Sequence, residues 1–508
     1  MTGTRTAVVL SLLAAMLAGA CGAREDGAAP SGARRDLLIV LDGLRPDYVT
    51  SDLMPALVAL GRRGVVMRSH HAVYPTVTRV NAASISTGAY PETHGLLGNG
   101  VYMPEVDPAQ FLDTSDRANL LRIEASGAPL LTATTLGEAL AAAGERLLVV
   151  SAGSAGSAYL LNHTAAGGGI LHYDFSVPSR LHARAVAVLG PVPEAAAPNW
   201  QRNRWAVDAL LQVGLPEVDP AVAVLWLSDP DTTAHRHGIG HPLTNEALFY
   251  LDAEIARIQT ALGDAGLLET TNIWVTSDHG FSEHTGAVDV SALLAPFDGR
   301  LDDGTPRVVA GGGAIYVRDG DETAVGGIVA ALRAAPEVGA VFTRGPAPGA
   351  TAGRVDGTLS FGVARWDHAR AGAVLFSPNW TDAAGANGYP GTSAQPGVAG
   401  HGSASPFDIH NTLIAAGPDL KRGVTLDAPS GNVDFAPTFL YLRGLEPPAS
   451  MQGRVLRDAL RDEPPIDGTD IEVADIRATA ADGRYVVTAA TSAVDGRTYL
   501  DYTTAERP

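Results

Sequence analysis

Three apolar runs in this chain end in aspartate. "DLLIVLDG" closes on Asp42, "AVAVLWLSDPD" on Asp229 and Asp231, and "NIWVTSDHG" on Asp278 followed by His279. Asp231 and His235 stand four apart in "DPDTTAH", so a helical turn would set them on one face, able to grip one ion. His401 lies in the glycine-rich "GVAGHGSASPFD", where backbone can approach a site closely. Three carboxylates and three imidazoles are enough for two divalent ions with open coordination positions. Such mixed oxygen and nitrogen donors suit zinc and tolerate manganese or iron. Count alone does not select these residues, because His70, His71, His237, His241 and His284 offer the same atoms and an aspartate after a strand is commonly a turn or cap. What favours the metal reading is the joint placement of the aspartates and His279 at strand ends. A second kind of chemistry sits in "VYPTVTRVNAASISTG", Val73 to Gly88, which holds Thr76, Thr78, Ser84, Ser86 and Thr87, with Arg79 beside the second threonine. A divalent ion lowers the proton affinity of a neighbouring hydroxyl and makes it a nucleophile. The residues by themselves leave open which hydroxyl that would be.

The elements that must position these groups follow from hydrophobic patterning. Near-continuous Val, Ile, Leu and Trp over five to seven positions suits strands buried on both faces, as in a parallel sheet covered by helices. Polar residues at the C-terminal ends of such strands occupy the ligand edge of an open α/β sheet. Between the strands, Leu248, Leu251, Ile255, Ile258 and Leu262 recur at helical spacing, and "TLGEALAAAGERLLVV" offers a capping box of Thr135 with Glu138, a stop near Gly144 and a further strand. The pattern predicts an α/β fold, a doubly wound, mostly parallel sheet sandwiched by helices, over residues 36–462. From about 281 to 400 the text changes to strand, helix, strand and Gly/Pro-rich loops, read as an inserted α+β subdomain. Residues 463–508 read as a small C-terminal β appendage, because the stretch from Ile471 onward alternates and carries two Asp-Gly pairs.

Composition narrows the class. The 508 residues carry a formal charge of -19, and Lys421 is the only lysine, so the basic face of a nucleic-acid scaffold is missing. Residues 1–20 read as a signal peptide: Arg5, the apolar "AVVLSLLAAMLAGA", and small residues before Cys21. Cys21, the only cysteine, stands where bacterial lipoproteins are acylated, although Leu17 falls one place early for that motif. Residues 21–35 read as a flexible tether. The expected location is outside the cytoplasm, as a periplasmic or cell-envelope lipoprotein or as a secreted protein, with contact to a membrane only through a lipid on Cys21. No later segment reaches the roughly 18 apolar residues of a membrane-spanning helix.

The whole set resembles the alkaline phosphatase superfamily, and most closely its nucleotide pyrophosphatase/phosphodiesterase branch. The likeness runs in order through "LLIVLDGLRPDY", "YPTVTRVNAASISTGAYPETHGLLGN", "DPDTTAH", "TSDHGF", "GHGS" and "GNVDFAPTFLYLRGL", covering about Asp36 to Leu456. The resemblance implies two divalent ions, zinc in the family, with Asp231, His235 and His401 on one and Asp42, Asp278 and His279 on the other beside the oxygen of Thr78. It also implies that Thr78 is the nucleophile, passing through a phosphothreonine, and that Asn99 binds the phosphoryl oxygens. A helix predicted over Val80 to Thr87 would add its positive end. Thr76 then reads as a loop residue, and the later hydroxyls as helix packing. The implied function is hydrolysis of phosphate esters on small phosphorylated substrates, with phosphodiester or pyrophosphate bonds first. A monoesterase or phosphonate hydrolase of the same superfamily stands second, and an inactive metal-binding relative third. Where nucleotide-cleaving members place an aromatic residue after the nucleophile, this chain has Arg79, here assigned to the substrate. The near absence of lysine disfavours the relatives that use lysine on substrate.

Overall fold

The computed structural model describes residues 34–508. The signal peptide read over 1–20, Cys21 and nearly all of the tether lie outside the described residues; the tether's last residue, Arg35, already begins the first strand. The large sheet contains β1 (Arg35–Leu41), β2 (Val65–His71), β3 (Leu147–Ser151), β4 (Gly169–His172), β5 (Ser176–Val177), β6 (Val222–Leu227), β7 (Thr271–Thr276), β8 (His410–Ala416) and β9 (Val424–Leu426). Their order across the sheet is β9-β2-β8-β7-β1-β6-β3-β4-β5. β1 pairs in parallel with both β6 and β7, and β3 in parallel with β6 and β4. β8 runs against β7 and β2, so its N-terminal end reaches the edge where its neighbours end.

β1 explains why the sheet is central. Every residue from Arg35 to Leu41 is buried, and the side chains alternate between two cores. Leu38 and Val40 pack into one with Ala82, Leu140, Leu160 and Phe439, whereas Leu37, Ile39 and Leu41 pack into the other with Leu57, Val207, Leu251 and Ile255. Helices therefore cover both faces, the doubly wound arrangement that the apolar runs predict. α1 (Thr78–Thr87) lies on the first face; α2 (Asp231–His237) and α3 (Pro242–Asp264) lie on the second side of the chain's path, and α3 buries its predicted stripe. The capping box of Thr135 and Glu138 is present with both reciprocal bonds.

Between Phe281 and Gly400 the chain builds two further sheets. Strands Ser282–His284 and Ala399–Gly400 pair antiparallel, so this long excursion starts and ends side by side. Within it, Ala314–Val317, Val338–Thr343 and Val374–Pro378 join a five-stranded sheet that helix Glu322–Ala334 covers. At the C-terminus β10 (Glu472–Thr479), β11 (Val486–Val494) and β12 (Arg497–Glu506) form an antiparallel meander. Its two hairpin turns hold the Asp-Gly pairs, and Asp495 and Gly496 take φ of 52° and 69°, the left-handed pair a tight hairpin requires. Tyr485, Val487 and Ala489 of this meander share one core with Phe342 and Trp366, so it packs on the excursion rather than standing apart.

Since β1 is buried on both sides, Leu38→Ala should destabilise the protein by about 2–5 kcal/mol through lost burial and a residual cavity. Chemical denaturation of wild type and variant checks this; an unchanged midpoint would show that β1 is not the centre of the cooperative unit.

Candidate metal centre and nucleophile

Strand ends deliver the acidic groups. Asp42 follows β1, Asp231 opens α2 four residues after β6, and Asp278 and His279 follow β7. The loops meet closely: Gly43 has φ +74°, and a side chain there would press on Asp231 and Phe281 at 3.1 Å. The backbone N–H of Asp231 donates to the Asp42 carbonyl at 2.9 Å, which ties the first two loops together.

Two groups result, each with its ligand atoms within 4.8 Å of one another: Asp42, Asp278 and His279, and Asp231, His235 and His401. In the first, His279 Nε2 lies 3.1 Å from Asp278 Oδ2 and 3.6 Å from Asp42 Oδ1. In the second, Asp231 Oδ2 lies 3.1 Å from His235 Nε2 and 3.5 Å from His401 Nε2. The groups adjoin, since the rings of His279 and His401 stack at 3.5 Å. Thr78 Oγ1 lies 3.3 Å from His279 Nε2.

The hydrogen bonds behind these atoms sort donors from acceptors. The Nδ1 of His235, His279 and His401 faces the carbonyls of Ala399, Gly280 and Thr76 at 2.8, 2.9 and 2.8 Å. A carbonyl only accepts, so each Nδ1 carries the proton and each Nε2 presents its lone pair inward, the usual second-sphere arrangement of imidazole ligands. Two of the carboxylates are held in the same way. Trp226 Nε1–H donates to Asp42 Oδ2 at 2.9 Å and the Gly43 N–H to Asp278 Oδ1 at 3.1 Å. What remains are Asp42 Oδ1, Asp278 Oδ2 and Asp231 Oδ2, all buried without a partner. Three orphaned carboxylate oxygens beside three imidazole lone pairs fit divalent cations with a taste for nitrogen and oxygen.

Electrostatics points the same way. Burial, then Asp278 and Asp231, push the Asp42 carboxyl well above the ordinary carboxylate range. Burial alone would lower His235 and His279, but Asp231 and Asp278 respectively outweigh it and hold both above 6.5. Burial and the neighbouring His279 hold His401 well below that value. Without a cation, protons are drawn into the site to offset the carboxylates.

Thr78 is the first residue of α1, two positions earlier than the sequence pattern predicts, so its hydroxyl sits within the helix's first turn and not before it. Asn81 braces the incoming loop: its Oδ1 accepts from Val73 N–H at 2.7 Å, and its Nδ2 donates to the carbonyls of Val73 and Val77 at 3.1 and 3.2 Å. Asn99 Oδ1 accepts the N–H of Arg79, the residue after Thr78, at 3.0 Å, which leaves its amide nitrogen to donate elsewhere. Thr76 donates to the Ser403 carbonyl at 2.7 Å, and Ser86 and Thr87 to the carbonyls of Leu161 and Ala83. Asp229 is saturated by Asn199, Asn203 and Thr233, a structural role. His70 is likewise satisfied by Ser430 and Asn432. Sequence reasoning missed Trp226 and Asn432, whose Nδ2 donates to the Asp278 carbonyl at 2.8 Å; a tryptophan in an apolar run reads as core, and nothing local marks it as a carboxylate's donor.

A family model described as type I phosphodiesterase / nucleotide pyrophosphatase matches residues 37–374. Ectonucleotide pyrophosphatase/phosphodiesterase family member 1 of Rattus norvegicus is 28% identical over 257 residues, 49% of this chain and 24% of that protein. A venom phosphodiesterase of Macrovipera lebetinus is 27% identical over 277 residues, 52% of this chain and 28% of that protein. The matched part thus spans about a quarter of the length of these relatives. Among solved structures, murine ectonucleotide pyrophosphatase/phosphodiesterase 5 superposes with a TM-score of 0.59 at 17% identity, covering 84% of this chain and 100% of that one, a likeness of fold.

Two outcomes follow from the geometry. Trp226→Phe removes the donor that orients Asp42 and should weaken ion binding about 10- to 100-fold, read by titrating the ion-free protein with zinc. Because ions must displace protons held at His235 and His279 above 6.5, apparent affinity should drop as pH falls through that value, by about tenfold or more per unit. Affinity that does not change between pH 8 and 5.5 would exclude those imidazoles as ligands.

Proposed function

Because the chain belongs to the type I phosphodiesterase/nucleotide pyrophosphatase family, we propose that it is an exported hydrolase of phosphodiester or pyrophosphate bonds, with Thr78 as nucleophile and two divalent ions, zinc by preference, as cofactors. The observation that carries the reading is the set of three partnerless, buried carboxylate oxygens facing imidazole Nε2 atoms within reach of Thr78 Oγ1. Asp231, His235 and His401 would hold one ion; Asp42, Asp278, His279 and the Thr78 oxygen the other. When bound, such ions lower the proton affinity of a hydroxyl or water and offset charge on the departing oxygen.

The chain's own groups supply the rest. Thr78 Oγ forms a bond to phosphorus as the bond to the leaving oxygen breaks, and water then displaces the threonine oxygen in a second in-line step. The first turn of α1 offers backbone N–H groups and a positive dipole end to the phosphoryl group. The Asn99 amide nitrogen, its carbonyl end occupied by Arg79 N–H, is left to donate to a phosphoryl oxygen.

Charge favours the diester. Two divalent ions against three carboxylates, with Arg79 added and Thr78 ionised, leave one net positive charge, which a monoanionic phosphodiester neutralises and a dianionic monoester overshoots. Arg79 Nε is buried without a partner; burial lowers the guanidinium, and Asp113, Asp42, Asp231 and Asp278 oppose that shift only in part. It therefore stands ready to pair with an anionic group of the substrate. Among the described residues no helix is long and apolar enough to cross a membrane. Export, with a lipid on Cys21 or plain cleavage, rests on the N-terminal sequence.

Thr78→Ala should lower kcat by about 10³-fold or more while zinc content stays that of wild type. Wild type should prefer bis-p-nitrophenyl phosphate to p-nitrophenyl phosphate by about tenfold, and Arg79→Ala should cost the diester about 10- to 100-fold in kcat/KM, as for a lost charged hydrogen bond. A monoester preference would overturn the substrate assignment; full activity of Thr78→Ala would remove the nucleophile.

A further inference from the structure

A third group of metal-ligating side chains lies outside this centre: His71, His410 and Asp501, with ligand atoms again within 4.8 Å of one another. Three elements bring them together. His71 ends β2 and His410 begins β8, and the two residues are direct partners in the antiparallel register, with ring centroids 4.6 Å apart. Asp501 belongs to β12 of the C-terminal meander. There the register with β11 slips: Thr491 pairs with Leu500 and Ala490 with Tyr502, so Asp501 is the extra residue of a β-bulge. Bulges re-aim a side chain at the expense of a ladder position, and this one turns a carboxylate onto the edge of the large sheet.

The hydrogen bonds repeat the logic of the ligand imidazoles. His71 Nδ1 faces the Ser430 carbonyl at 2.8 Å and so carries its proton there. Its Nε2 is left 2.7 Å from Asp501 Oδ1, an oxygen that also accepts from Ser492 Oγ at 3.0 Å. A lone pair and a carboxylate oxygen at that distance repel unless something positive lies between them. A proton would serve those two atoms alone and leave His410 without purpose beside a buried imidazolium. A cation would use all three groups. His410 is suited to it, because its half-buried ring faces His71 across the register and brings a ring nitrogen within 4.8 Å of the other two ligand atoms. The Tyr499 ring stacks on His71 at 5.4 Å and closes one side.

We propose that His71, His410 and Asp501 form a structural site for a divalent cation of the zinc class that fastens the C-terminal meander to the edge of the large sheet. Two imidazoles and one carboxylate, with no thiolate, select zinc-like ions over calcium or magnesium, which take oxygen ligands. The site shares no residue with the pair of sites around Thr78. Its existence does not depend on the activity assigned to them.

The test is zinc content of the full-length mature protein after zinc loading and desalting, for wild type, Asp501→Asn and His410→Ala. Each variant is expected to hold one ion fewer than wild type, to keep the wild-type kcat on bis-p-nitrophenyl phosphate, and to lose part of the rise in Tm that zinc gives the wild type. His401→Ala serves as the separate control: loss of an ion and of activity there, with the third ion kept, separates the two centres. Equal zinc content in wild type, Asp501→Asn and His410→Ala would overturn the proposal and leave a proton-held ion pair. Because Asp501 and His410 lie on different strands, a folding failure of one variant leaves the other to decide.

Discussion

Repulsion among Asp42, Asp231 and Asp278 is the constraint around which the rest is arranged. Two like charges about 4 Å apart repel by about 4 kcal/mol at an effective dielectric of 20, and folded domains are stable by only about 5–15 kcal/mol. Placing three such groups together is therefore a large local penalty. Their position follows from the sheet: strands that run parallel end at one edge, and the residues after β1, β6 and β7 are thrust into a common space. Asp42 and Asp278 each have one oxygen taken, by Trp226 and by the Gly43 N–H, and all three carboxylates leave one oxygen bare. The bare oxygens create the demand for positive charge, and the imidazole lone pairs decide which kind of cation meets it.

Rigidity behind the ligands matters as much as the ligands. Three imidazoles are each held by a backbone carbonyl through Nδ1, so the ring cannot turn away and its tautomer is fixed. One of those carbonyls belongs to Thr76, two residues before Thr78, so His401 and Thr78 are positioned by the same short loop. Asn81 fastens that loop from the other side. The placement of Thr78 thus depends on backbone contacts spread over regions far apart in the chain.

Much of this was legible in the sequence. Apolar runs ending in Asp42, Asp231 and Asp278 reveal buried parallel strands and a polar edge, because burial on both faces leaves a run with no alternation. The four-residue spacing of Asp231 and His235 marks a shared helical face. His401 was not legible in that way: a histidine after a glycine-rich loop carries no period, and only the resemblance to a family, with its ordered motifs, selects it over His70 or His71. The start of α1 at Thr78 was missed because Val77 provides no side-chain cap that a reader of sequence could see. The bulge at Asp501 was likewise invisible, since an alternating strand shows no sign of a slipped register until its partner is known.

The pairing of Ser282–His284 with Ala399–Gly400 gives the excursion between them the character of a cassette. Its two ends leave and rejoin the large sheet as neighbours, so the length and shape of what lies between are free to vary without disturbing β7 or β8. One requirement limits that freedom. The returning strand passes directly into His401, and its Ala399 carbonyl holds His235, so any replacement must preserve the two-residue zipper that delivers both imidazoles. Diversification of this region across descendants of the fold would therefore alter what surrounds Thr78 while leaving the Asp and His cluster unchanged.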